Sequence, residues 1–505
     1  MKSRMIFLIT LFFVVIAAIF LIPPKLRTLS VVPLTLSSQP DFVATPEKAT
    51  APNSSTSDAI RLLAVTEKEI GVGLQARPVD PATLADLPGY APIDFGHNYT
   101  YAISPGRKML AVIPWPSGSG NAGGTLHLID LNTWIDMPTD LRIDDYVSDL
   151  IFGADGRTLY WTIPTVRDSA HGMPRDYQLY RYDLASHQLS TTTQLPSSFT
   201  PWSQRLSSGN IAIFGIPTDP NNLAEDVPHL LIIDPARKQI AADARLDGVK
   251  AGQFREQVTN ATPSAHEESS QYVMYNPGLA WGLDRKVLYV VHADDNKVTV
   301  VNLANGALIK QTHIRPRQPL LEWISDTLAP AVEAKGGPWL GARVILSHNA
   351  KRLYVFSEKT EMDLPEAVDL RVIATNGMRE IGHLDELLTD FALTPDGKSL
   401  LVIKGEIDKS YGFDMLVNRD VYVLDAETLR ERIHVRIDQV DQLWFDGFSP
   451  DGHYAYLRGS SAQWVEGSGW RNWQTMWRLL DLHSYRLTSA GESVSMYGAL
   501  LHIAP

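Results

Sequence analysis

Three tryptophans and an arginine share one Gly/Ser-rich stretch of this chain, Gly459 to Trp473, at Trp464, Trp470, Arg471 and Trp473. Indole faces beside a guanidinium suit a platform for a sugar ring, a peptide or a cation. The same side chains suit packing of the segment onto its own domain, since large aromatics favour burial. These four are the candidate ligand-binding residues. Glu406, Asp408 and Asp414, and separately Asp294-Asp295-Asn296, offer oxygen ligands to a hard cation. Neither group has the spaced Asp/Asn-Gly-Glu pattern of a calcium loop, so both read as solvated acidic segments. The 14 histidines include no His-Glu-x-x-His pair. Gly467-Ser468-Gly469 and Gly118-Ser119-Gly120 lack the spacing of a nucleophile elbow, and no phosphate-binding glycine loop opens a helix. With no cysteine anywhere, disulfides, thiolate metal sites and a cysteine nucleophile are excluded. No catalytic residue, metal site or cofactor is therefore assigned.

The elements that position these residues begin at the N-terminus. Met5 to Ile22 is apolar apart from Thr10, is preceded by Lys2 and Arg4, and ends at Pro23-Pro24. Eighteen residues approach the lower limit for a membrane-spanning helix, and the basic flank resembles an export signal. Residues 1–24 are thus expected to form a transmembrane anchor, with a cleaved signal as the alternative. The large domain is expected on the extracytoplasmic side. Residues 25–57, dominated by Ser, Thr, Pro and Ala, read as a flexible linker. A net charge of −12 argues against nucleic acid as a partner.

From residue 58 to 505 one pattern returns seven times. A turn such as Thr394-Pro395-Asp396-Gly397 or Ser449-Pro450-Asp451-Gly452 precedes an apolar strand such as Leu400 to Ile403 or Tyr454 to Leu457. A further apolar strand then ends in an acidic or amide residue, as in Val421 to Asp425, Leu230 to Asp234 and Val298 to Asn302. Each terminal Asp is expected to bond the backbone of its own turn. Such units cannot bury both apolar faces alone and must stack. Four strands per unit and seven units predict an all-β fold, a seven-bladed β-propeller of four-stranded antiparallel blades.

The Ser/Thr-Pro-Asp-Gly turn with the Leu-Tyr-Val and Val-x-Val-x-Asp strands resembles the bacterial YVTN and lactonase-like propellers, which are related to the TolB type. The resemblance spans roughly residues 90–505. It implies the fold but not an activity, because these propellers include enzymes, binding platforms and accessory subunits. WD-repeat signatures are missing.

In a four-stranded blade, the second-to-third loops and the blade-to-blade connections share one face of the disc. Here that group holds the long segments 115–124, 165–176, 217–228, 250–272, 316–340, 405–419 and 459–474. Function is expected on that face. The expected protein is a membrane-tethered extracytoplasmic propeller that binds a protein or small ligand there without catalysis. The alternatives are a lactonase-like hydrolase acting on a cyclic ester at the central channel, and a cell-envelope assembly scaffold. Ser495 to Ile503 resembles another first strand and Ile60 to Val65 is strand-like, so one or both are expected to latch the ring.

Overall fold

The repeated turns are held by local hydrogen bonds. Thr394 Oγ1 accepts from the Ser399 N–H at 3.0 Å and donates to Asp396 Oδ1 at 2.7 Å, and Asp396 accepts from the Lys398 N–H at 2.9 Å. Gly397 sits at φ +67°, where a side chain is strained. The aspartates that end the third strands behave as expected. Asp130, Asp183, Asp234, Asp425 and Asp481 each accept the backbone N–H groups two and three residues on, at 2.7–3.1 Å. They are turn formers.

The computed structural model describes residues 60–503, save 68–72, 116–123, 144, 146, 168–173, 218–226, 258–269, 315–338, 362–363, 367–368, 410–414, 438–439, 466–468 and 495–498. Residues 5–22 and the linker lie outside the described residues, among which no helix is long and apolar enough to cross a membrane. The described chain is an all-β propeller of four-stranded antiparallel blades, and they number eight rather than seven.

Blade 1 combines both ends of the chain: Ala499–His502 is innermost, followed outward by Leu62–Glu67, Leu74–Pro78 and Ile93–Gly96. Blade 2 runs from Asn98 to Ile143, blade 3 from Ile151 to Gln194, blade 4 from Phe199 to Arg245 and blade 5 from Gly278 to His313. Blade 6 runs from Trp339 to Asp385, blade 7 from Leu388 to Arg436 and blade 8 from Gln442 to Val494. The miscount has a simple cause. Each turn in the sequence joins a first strand to a second, and blade 1 has no such turn, because its two inner strands come from opposite ends of the chain.

Packing follows the same count. Eight apolar clusters lie one at each junction between neighbouring blades. Leu63 and Val65 of blade 1 meet Leu110 and Val112 of blade 2, and Phe356 and Leu370 of blade 6 meet Leu400 and Val402 of blade 7. The last cluster joins Tyr456 and Trp477 of blade 8 to Leu62, Ala64 and Leu500 of blade 1. Second and third strands are covered on both faces, which is why they read as unbroken apolar runs. A fully buried Leu, Ile or Val stabilises by about 1.5–3 kcal/mol relative to exposure.

The expected latch is present and uses both segments. Leu62 pairs with His502 and Val65 with Ala499, antiparallel. Ile503 donates its N–H to Arg61 O at 2.9 Å, and Arg107 Nη1 of blade 2 donates to Ile503 O at 2.8 Å. His502 Nε2 lies 2.9 Å from Asp446 O, and the Tyr456 hydroxyl donates to Pro81 O at 2.8 Å. Gly447, at φ +121°, sits against the His502 imidazole so closely that a Cβ would collide with it.

The seam yields two expectations. Deleting residues 494–505 will strip blade 1 of its inner strand and markedly lower the melting temperature; an unchanged midpoint would show that the latch contributes little. Gly447→Ala, which adds both backbone strain and a clash, will destabilise by more than about 2 kcal/mol in urea unfolding.

Candidate functional site

Strand direction places the second-to-third hairpins on one face, and three of them rise beyond their sheets. In blade 8 the strands Tyr454–Val465 and Gly469–Asp481 stay paired out to Val465 opposite Gly469. The inner strand leaves this pair at Ser460 and the outer strand at Thr475. The remainder is a two-stranded ribbon. Trp464 stands directly opposite Trp470, Gln463 opposite Arg471, and Trp473 lies farther along the second arm. All four candidate residues therefore belong to the ribbon.

Blades 7 and 3 build similar ribbons. Ser399–Asp408 pairs with Met415–Asp425 as far as Asp408 opposite Met415, and Thr158–Arg167 pairs with Pro174–Asp183 as far as Arg167 opposite Pro174. The expectation of long loops at 165–176, 405–419 and 459–474 is thus corrected. Much of each segment is paired strand, and cross-strand hydrogen bonding continues after the flanking strands have stopped.

The acidic segments do not converge on a cation. Glu406 pairs with Arg436 at 3.3 Å, and Asp408 lies 4.0 Å from Arg419. Asp414 lies outside the described residues. Asp294 pairs with Lys250 at 3.3 Å, Asp295 with Lys297 at 2.5 Å, and Asn296 accepts from Arg371. Among the described residues no group of three or more His, Asp or Glu side chains is arranged to hold a metal.

On the axis side, the connection from blade 4 to blade 5 makes an added hairpin of Gly252–Gln257 and Ser270–Asn276. Its second arm skips blade 5 and pairs in parallel with the inner strand of blade 6, Met274 opposite Trp339 and Asn276 opposite Gly341. Val273 and Tyr275 are buried, and Lys250 Nζ lies 4.6 Å over the Tyr275 ring. Blade 6 thus carries two extra strands on its channel edge.

Around the same inner wall, charges run from blade to blade. Arg343 of blade 6 donates to Asp390 of blade 7 at 2.7 Å while its guanidinium stacks 4.5 Å from the Phe356 ring. Asp390 also accepts from its neighbour's Phe391 N–H and, across the next junction, from the Phe445 N–H of blade 8 at 2.8 Å. Asp149, at the foot of blade 3, accepts from the Gln204 N–H of blade 4 at 2.9 Å. Asp149 and Asp390 both stand four residues before the first turn position, Gly153 and Thr394. That repeat was readable in the sequence and went unrecognised among the turn aspartates.

Asp446 of blade 8 accepts from Trp477 Nε1 at 2.6 Å and faces Arg458 at 3.4 Å. Burial pushes its carboxyl up, against the pull of Arg458 and the Trp477 bond, and burial likewise pushes Asp149 up. Each acid is engaged by partners within the ring. Asp149 and Asp390 lock adjacent blades, while Asp446 ties the strands of blade 8 together.

A cleft of about 420 Å³ opens between blades 6 and 7 on the opposite, short-turn face. Arg352 pairs there with Glu427 at 2.6 Å and Arg432 with Asp425 at 2.5 Å, which holds the Asp425 carboxyl far below the usual range. The cleft's charges largely satisfy one another, and it contains none of the four candidate residues.

No protein-family model matches the chain, and no curated protein matches it in sequence. Among solved structures it is similar to the dihydro-heme d1 dehydrogenase NirN in complex with DHE, at 11% identity and TM-score 0.49, over 90% of this chain and 78% of that one. It is also similar to Kuenenia stuttgartiensis hydrazine synthase, at 13% identity and TM-score 0.37, over 81% and 97%. A Bacteroides fragilis protein assigned as a 6-phosphogluconolactonase matches at 14% identity and TM-score 0.39, over 77% and 99%. The propeller class rests on the strand pairing within this chain.

The inner wall supplies a sharp test. Asp390→Ala leaves Arg343 and the Phe445 N–H without their acceptor and will cost about 3–5 kcal/mol in chemical denaturation. The paired change Arg343→Met with Asp390→Leu will recover a substantial part of that loss. A single-mutant cost under about 1 kcal/mol would show that the bridge is incidental.

Proposed function

We propose that this chain is a membrane-tethered, extracytoplasmic propeller that binds a partner protein through its ribbon face and performs no chemistry in the ring. The observation that carries this reading is the blade 8 ribbon, which holds Trp464 opposite Trp470 beyond the four-stranded sheet, with Arg471 next in line. A two-stranded ribbon beyond its sheet has unpaired backbone edges, and tryptophan and arginine dominate the energetics of protein interfaces. The ribbons of blades 3 and 7 rise on the same face and widen the surface. The apolar run Met5 to Ile22 with Lys2 and Arg4 supports attachment to a membrane. The engagement of Asp149 and Asp390 in contacts between blades, and of Asp446 by Trp477 within blade 8, supports a structural role for the inner wall.

The test is photo-crosslinking of the full-length protein in its own membrane. A photoreactive residue at Gln463 or Asn472 will yield a discrete protein adduct, while the same residue at Lys398 or Glu427 on the opposite face will not. Replacing Trp464, Trp470 and Trp473 together by Ala will weaken the adduct on the order of tenfold or more. Equal adducts from both faces would overturn the reading. So would hydrolysis of a lactone panel that is lost in Asp446→Asn, the outcome expected of a lactonase-like enzyme. An adduct partner that stays bound through purification in fixed ratio would make the chain an assembly scaffold.

A further inference from the structure

Four blades carry the same side-chain pair in the same place, a histidine and an aspartate joined diagonally across the third and fourth strands, and a fifth carries a looser version whose aspartate lies just before its third strand. In blade 2, His127 Nδ1 lies 2.8 Å from Asp136, which stands opposite Ile129. In blade 4, His229 Nδ1 lies 2.7 Å from Asp243, opposite Leu231. Blades 6 and 7 reverse the order along the same diagonal. Asp369 meets His383, opposite Arg371, at 3.4 Å, and Asp420 meets His434, opposite Tyr422, at 2.6 Å. In blade 5, Asp295 meets His313, opposite Lys297, at 3.8 Å. Every case links a third-strand-side residue to the partner of the residue two positions on. The outer strands of blades 3 and 8, Gln188–Gln194 and Leu487–Val494, contain no histidine.

We propose that these pairs form an acid-tightened clasp on the outer rim, binding the outermost strands more firmly as the histidines become charged. In the closer pairs a neutral imidazole N–H can already donate to the carboxylate; protonation adds the opposite charge and makes each an ion pair. The effect grows as the imidazoles take up a proton and is lost again once the carboxylates do; for Asp295 and Asp369 burial is outweighed by the bonds to Lys297 and to His383 and Arg371, respectively, which hold the carboxyl below its ordinary value. The outermost strand is where it matters, because that strand has only one paired edge.

The surrounding charges do not cancel it. His383 faces Glu380 at 3.8 Å as well as Asp369, with Arg371 opposing, and the Asp369 bond holds its pKa above the ordinary value. His434 stacks on Tyr422 at 4.4 Å; Arg436 shares Asp420 at 3.0 Å, and Lys404 lies over the far ring. His229 stands opposite Arg245, which is held by Asp247 at 2.7 Å. Lys297 competes with His313 for Asp295, which makes blade 5 the weakest member. His127 has Asp136 as its charged neighbour, both about a quarter exposed.

Hydrogen exchange on the full-length protein, corrected for the intrinsic pH dependence of amide exchange, tests this without any mutation. Between pH 7.5 and 5.5 the outer strands 135–143, 239–245, 379–385 and 431–436 will gain severalfold protection, while 188–194 and 487–494 serve as internal controls. An equal change in all six strands would overturn the proposal, since a net charge of −12 relaxes everywhere on acidification. His434→Gln keeps a donor to Asp420 but not a charge. It will remove the pH response of 431–436 and leave 239–245 unaffected; an undiminished response at 431–436 would also overturn it.

Discussion

Everything in this fold depends on four backbone pairs, Leu62 to Val65 against His502 to Ala499. Each blade buries one face on its predecessor and one on its successor, so a ring that failed to close would expose two apolar blade faces. Closure also pairs the inner edge of Leu62–Glu67, a strand which would otherwise present free N–H and C=O groups to the channel. Because the two segments are separated by nearly the whole chain, this contact is the most costly in loop entropy. The side chains around it are correspondingly specific. Gly447 makes room for His502, His502 is seated on Asp446 O, and Arg107 reaches back to Ile503 O.

Polar chemistry inside the ring answers a similar constraint. Inner strands converge on the axis, where blades are too close for bulky apolar packing and too far for backbone pairing with one another. Asp149 and Asp390 span that gap by accepting the N–H of the next blade's inner strand. A buried carboxylate is tolerable only when its lone pairs are filled, and Arg343, Phe391 and Phe445 fill those of Asp390. Acids in a propeller channel invite a catalytic reading. Here their partners are other blades, and the axis side of blade 6 is further occupied by Ser270–Asn276.

Much of this architecture was legible in the residues. Pro-Asp-Gly turns announce a reversal because Pro, Asp and Gly each meet a backbone demand of the turn, and Asp425 or Asp481 ends a strand because its carboxylate reaches two N–H groups ahead. The latch was legible too, as two strand-like segments without local partners. Counting blades by turns failed where covalent continuity failed, since blade 1 has an inner strand pair but no turn between its members. The ribbons were misread as loops for a related reason: Gly459 to Trp473 is rich in Gly and Ser, and only the pairing of its two halves reveals a strand. The spacing of the inter-blade aspartates before their turns was legible at Asp149 and Asp390, but the rim diagonals were not, because they are relations between strands and register cannot be read along one strand.

The division between repeated and less repeated features separates what the ring needs from what it does not. What recurs around the ring serves the ring: turn aspartates, apolar junctions and diagonal His–Asp pairs all have structural equivalents in other blades. A recognition surface needs the opposite, groups without equivalents, because eight copies of one surface would bind in eight registers. The elements that most blades lack are the axis-side hairpin of blade 6 and the ribbons of blades 3, 7 and 8, of which that in blade 8 is the longest pair of strands described. Trp464, Trp470, Arg471 and Trp473 lie on that ribbon, past the points where the inner and outer strands of blade 8 leave it. Their positions fall outside the four-stranded sheet, which is the physical reason to look for a partner there.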